Sequence, residues 1–201
     1  EGAEHAGFPS IVGGGKNSCV LHYTSNRKQL ESGDMLVIDV GAEYKGYTAD
    51  VTRSLPVDGH FSEQEKTIYN LVLKAQQAGI EACQIGNKFW EPHTVATKII
   101  TDGLLELGII TKYYHVQRYF MHGTSHYLGL DVHDAGLNGP LEAGNVITVE
   151  PGIYIPEGSD CDPKWWNIGI RIEDDILITT EGPENMSAKA PRTIEEIEAL
   201  M

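Results

Sequence analysis

Four carboxylic acids lie where carboxylic acids are costly: Asp39 in LVIDVG, Asp50 in TADVT, Glu150 in ITVEPG and Glu173 in GIRIEDD. Inside an apolar strand an unpaired carboxylate loses its hydration and either finds a partner or takes up a proton. Parity decides whether the first two meet. A two-residue turn at Lys45-Gly46 sets Asp39 opposite position 52, and Asp50 has the parity of 52, so both side chains share one face as diagonal neighbours. Two carboxylates that close repel unless a cation sits between them, and hard divalent ions prefer such oxygens. Taken alone, each acid has an ordinary explanation as well. Glu173, for instance, shares a strand face with Arg171, and an ion pair between them is the alternative to a metal.

A histidine segment adds nitrogen ligands. Residues 122–134 read HGTSHYLGLDVHD and carry His122, His126 and His133 among glycines, a composition suited to an irregular segment that presents imidazoles. Clustered histidines in a chain with four acids in apolar strands favour a site over bystanders. Imidazole with carboxylates suits manganese, cobalt, iron or zinc, and no cysteine belongs to the cluster. Two such ions held by shared carboxylates lower the pKa of a bound water and polarise a carbonyl, a template for hydrolysis.

The elements that must hold these residues follow from periodicity. Met35 to Gly41 and Tyr47 to Leu55 read as two strands of a hairpin. Ser62 and Glu65 form a capping box for a helix over about 63–82, with Ile68, Leu71, Val72, Ala75 and Gly79 on one stripe. Pro92 opens a second helix, striped by Ala96, Ile99, Ile100, Leu104 and Leu107 and ended by Gly108. Strands return at Asn145 to Glu150, Ile153 to Ile155 and Ile168 to Ile178, the last with Ile170 and Ile172 on one face and Arg171 and Glu173 on the other. Strands, then helices, then strands indicate an α+β fold.

The chain has 201 residues, enough for one core without staples. Its 15 Lys and Arg against 29 Asp and Glu give a net charge of −14, which disfavours nucleic acid and anionic membrane as partners. Cys19, Cys83 and Cys161 are far apart and in no ligand spacing, which points to a reducing compartment; with no membrane-length apolar run and no signal-peptide pattern, the cytoplasm is the expected location. Residues 1–18 offer few apolar positions and open on Glu1, so the chain reads as processed or truncated.

The motifs DVGAEYKGYTADVTRSLP (39–56), HGTSHYLGLDVHD (122–134), ITVEPGIYI (147–155) and GIRIEDDILIT (169–179) together resemble the pita-bread metallopeptidases, the family of methionine aminopeptidase, prolidase and aminopeptidase P. LHYTSN (21–26), EYKGYTADVTRSLPVDGHFS (43–62) and the closing EEIEALM are most similar to the aminopeptidase P branch, with prolidase close behind. The resemblance implies a pita-bread fold truncated at its N-terminus, residues 1–201 forming one incomplete catalytic domain, and a homo-oligomer in the full-length form. It implies two divalent ions, manganese first with cobalt, zinc or iron as alternatives. Asp39 would serve one ion, His126 and Glu150 the other, and Asp50 and Glu173 would bridge them. A hydroxide between the ions would attack the Xaa-Pro bond of a proline-containing peptide. Glu150 would shuttle its proton, His122 and His133 would stabilise the tetrahedral intermediate, and Arg171, Tyr154 and His22 would lie near the substrate. Competing readings are a prolidase-like dipeptidase and a metal-free binding module; creatinase-like chemistry is disfavoured because that branch does not keep the metal set.

Overall fold

The computed structural model describes residues 2–201. Lys45 and Gly46 both take positive φ (51° and 84°), the two-residue turn whose twist matches that of the strands it joins. The first half of the chain contributes strands β1 (His5–Ala6), β2 (Ile11–Gly14), β3 (Met35–Val40), β4 (Ala42–Tyr44), β5 (Tyr47–Thr48) and β6 (Val51–Pro56). The turn fixes the hairpin in the expected register, with Asp39 opposite Thr52. Residues 47–55 do not form one strand, however. The chain leaves the ladder at Ala49 and Asp50, and β5 and β6 belong to different sheets, ordered β1-β4-β5 and β2-β3-β6. Gly41 makes the crossing tight: a Cβ there would stand 1.7 Å from Ala49 O. β2 lies in a stretch to which the sequence assigned no structure, and it sets Ile11 opposite Asp39.

Helices α1 (Glu63–Glu81) and α2 (Glu91–Glu106) form where the capping box and Pro92 indicate, and both halves of the Ser62–Glu65 box are made. Their buried stripes, Ile68, Val72 and Ala75 against Ala96, Ile100 and Leu104, pack with Ile153, Ile155, Ile170 and Ile172 into the main core. These isoleucines come from β8 (Gly152–Ile155), β9 (Ile168–Arg171) and the residue after it. A smaller core joins Ile80 and Cys83 to β7 (Val146–Val149) and β10 (Asp174–Thr179). β11 (Gly182–Asn185) pairs with β10, and a short helix α3 (Ile194–Glu198) follows.

The run 168–178 is two strands rather than one. β9 pairs with β8, β10 pairs with β7 and β11, and Ile172 and Glu173 fall in the break. There Glu173 N–H donates to Thr52 O instead of continuing a ladder. The two faces still differ as expected, with Ile170 and Ile172 in the main core and Arg171 and Glu173 lining the opposite cleft, although every residue from 168 to 176 is buried. Strand β7 stops at Val149, one residue before Glu150, whose N–H donates to Thr124 O. Of the four strand acids read from the sequence, only Asp39 lies within a strand; Asp50, Glu150 and Glu173 sit just outside, where the backbone is free to turn their carboxyls towards a common point.

Candidate metal centre

These breaks bring the acids and His126 together. His126 Nδ1 lies 3.0 Å from Tyr127 O; a carbonyl only accepts, so Nδ1 carries the proton. Nε2 then faces Asp50 at 3.4 Å, Glu150 at 3.7 Å and Glu173 at 4.0 Å. These separations exceed hydrogen-bond length, whereas atoms that share one ion at about 2.1 Å stand roughly 3 to 4 Å apart. Asp50, His126 and Glu173 can each turn one ligand atom to within 4.8 Å of the other two. Asp39 Oδ1 and Asp50 Oδ1 are buried without a hydrogen-bond partner among the described residues.

The electrostatics have the same form. Burial, then the neighbouring Asp39 charge, pushes the Asp50 carboxyl up to about 8. Burial and the Glu173 charge raise Glu150, and burial and the Asp50 charge raise Glu173, both well above the carboxylate range. Such a group of acids stays ionised only around cations. The donor set of carboxylates and one imidazole therefore fits divalent metal.

Arg171 does not pair with Glu173. It runs behind the acids, donating to Asp39 Oδ2 (2.8 Å), Thr52 Oγ1 (3.2 Å) and Tyr154 Oη (3.0 Å). Thr52 Oγ1 donates to Glu173 Oε2 at 2.5 Å. Tyr154 is fully buried, and its hydroxyl also meets His122 Nε2 at 2.8 Å. Arg171 can only donate, so the Tyr154 proton goes to His122 Nε2, and His122 Nδ1–H is left to donate to Gly123 O at 2.7 Å. Both His122 nitrogens are thus engaged within the protein. Burial holds this imidazole down to about 4, consistent with a neutral ring.

His133 packs edge-on against His126, with ring centroids 4.5 Å apart. It lines a cleft of about 260 Å³ with His22, His122, Ser125, Arg171 and all five residues proposed as ligands. His22 is exposed in a turn and lines the cleft. Three residues near the site escaped sequence reasoning. Thr52 was legible, since the register already set it opposite Asp39. Asp175 stood in the EDD run, where a third acid carries no signal of its own. Ser125, whose Oγ is buried without a partner among the described residues, could not have been told from any other serine.

The model described as metallopeptidase family M24 matches residues 1–180. The chain is 43% identical over 213 residues to Xaa-Pro aminopeptidase of Escherichia coli, covering 100% of this chain and 48% of that protein. It is 44% identical over 211 residues to Xaa-Pro aminopeptidase of Haemophilus influenzae, covering 99% and 49%. Among solved structures, a substrate complex of Escherichia coli aminopeptidase P superposes with a TM-score of 0.96 at 42% identity, covering 100% of this chain and 48% of that one. Proline aminopeptidase P II from Yersinia pestis also gives 0.96, at 43% identity and with 100% and 49% covered. The chain thus spans about half the length of these relatives, and its α+β architecture is the pita-bread fold. By sequence and by fold, the chain belongs to metallopeptidase family M24.

Proposed function

We propose that this chain holds two divalent metal ions and hydrolyses the bond between the first residue and a following proline at the N-terminus of peptides. The observation that carries the reading is the His126 Nε2 lone pair aimed at three carboxylates, none within hydrogen-bond distance. Asp39, Asp50, His126, Glu150 and Glu173 would hold the ions, with Asp50 and Glu173 shared between them. Manganese is the first choice for this set, with cobalt, zinc and iron as alternatives. Bound metal supplies a water of lowered pKa and polarises the scissile carbonyl.

The side chains supply the rest. Glu173 is 3% exposed and fixed by Thr52, whereas Glu150 is 19% exposed, makes no carboxyl hydrogen bond among the described residues and opens on the cleft, which suits it to carry a proton from water to the leaving nitrogen. His133 forms no ring hydrogen bond among the described residues and is available to donate to the developing oxyanion. His122 acts through Tyr154 and Arg171 as a brace for the wall beside Glu150. His22 stands at the cleft mouth, where a peptide would enter. The free cysteines agree with a cytoplasmic setting, and no described helix is long and apolar enough to cross a membrane.

Peptide cleavage by the full chain with Mn²⁺ tests the function. Release of the first residue from Xaa-Pro-Xaa peptides is expected. Cleavage of Xaa-Pro dipeptides alone would favour the dipeptidase reading, and peptide binding without turnover or metal would favour a binding module.

A further inference from the structure

Asp50 lies at the break between β5 and β6, where its side chain turns to the metal site. The register pairs Val51 with Val40 and Glu43 with Thr48, and Ala49 N–H still reaches Ala42 O at 3.0 Å. Asp50 N–H has no main-chain acceptor among the described residues. It donates instead to Asp175 Oδ2 at 3.2 Å, across 125 residues of sequence.

Asp175 has no other evident purpose. Its neighbour Asp174 serves the core, paired to Arg53 at 2.7 Å and Arg192 at 3.7 Å and accepting from Gln76 and Asn185. Asp175 is 4% exposed, makes no ion pair among the described residues, and leaves Oδ1 without a partner. A buried acid in that position is costly, so the one bond it makes must matter. Its own backbone is held firmly: Asp175 N–H donates to Ser187 Oγ at 3.0 Å, and its carbonyl accepts from Met186 N–H at 2.9 Å. It also stands opposite Thr148, whose N–H and Oγ grip the backbone of His126.

We propose that Asp175 is a positioning residue of the metal centre: it contributes no ligand atom, and by accepting Asp50 N–H, which faces away from the hairpin partner, it fixes the backbone from which the Asp50 carboxylate projects. This rests on the reading of Asp50 as a shared metal ligand. The acceptor is what counts, so asparagine can replace Asp175 and alanine cannot.

Calorimetric titration of Mn²⁺ into the metal-free full chain, beside thermal melts of the same samples, separates these roles. D175A is expected to bind Mn²⁺ about tenfold more weakly per folded molecule, the effect of one buried hydrogen bond, while D175N stays within about threefold of wild type. Unchanged affinity in folded D175A, with only the melting temperature lowered, would make Asp175 structural and overturn the proposal. D175N as weak as D175A would assign the effect to charge and overturn it equally. If D175A does not fold, D175N against wild type still decides. Failure of wild type to bind Mn²⁺ would overturn the metal reading itself, an outcome distinct from normal wild-type binding with an unchanged D175A.

Discussion

Glu150 and Glu173 flank the same imidazole but are held differently, and their substitutions should separate chemistry from binding. Glu173→Ala and Asp50→Ala, which remove the carboxylates proposed as shared ligands, are expected to abolish binding of both ions, whereas Asp39→Ala should weaken mainly one; elemental analysis of the dialysed proteins checks this. Glu150→Gln keeps the shape of the ligand and loses the proton carrier, so turnover should fall at least ~100-fold in metal-loaded protein. His133→Ala should retain both ions and lose roughly 100- to 1000-fold in turnover, the usual effect of removing one oxyanion donor. His122→Ala should act through its neighbours instead. With the Tyr154 hydroxyl left without its acceptor and its hold on Arg171 loosened, the melting temperature and turnover are expected to drop together, as paired melting and kinetic measurements would show.

The elements explain why part of this site could be read from sequence and part could not. Turn chemistry and parity carried the hairpin: Lys45-Gly46 alone determines that Asp39 faces Thr52, and the structure has that register. The capping box and Pro92 delimited both helices because their signals are local. The breaks at Asp50, Glu150 and Glu173 were not legible, since each is decided by a distant partner: Asp175 for Asp50, Thr124 for Glu150 and Thr52 for Glu173. β2 escaped for the same reason, as a short glycine-rich strand declares itself only beside β3. Gly41 tests how much the first break matters. Gly41→Ala would drive a Cβ into Ala49 O and the Phe8 ring, so a loss of about 1 to 3 kcal/mol in unfolding free energy is expected, along with weaker metal binding. Denaturant unfolding of the metal-free variant measures the first and Mn²⁺ titration the second. A stable Gly41→Ala that had lost metal affinity would mean the hairpin yields locally at Asp50.

For the whole molecule, the acidic site makes folding depend on pH and metal together. Asp50 at about 8, with Glu150 and Glu173 also raised, keeps protons in the folded metal-free chain that the unfolded chain releases above pH ~4. The folded state then binds more protons than the unfolded one, so stability falls as pH rises from about 4 towards 8. Metal reverses the sign locally: its ligands must be deprotonated, so binding expels protons and tightens with pH. Thermal melts with and without Mn²⁺ should therefore diverge as pH rises from 5 to 8, and a constant gap would contradict the linkage. The arrangement of the ions themselves is the most direct test of the account. Crystals grown with Mn²⁺ and measured at the manganese absorption edge are expected to show two anomalous peaks bounded by Asp39, Asp50, His126, Glu150 and Glu173. A single peak, none, or peaks only at the group of exposed Glu4 and His5 with half-buried Glu43 would contradict it.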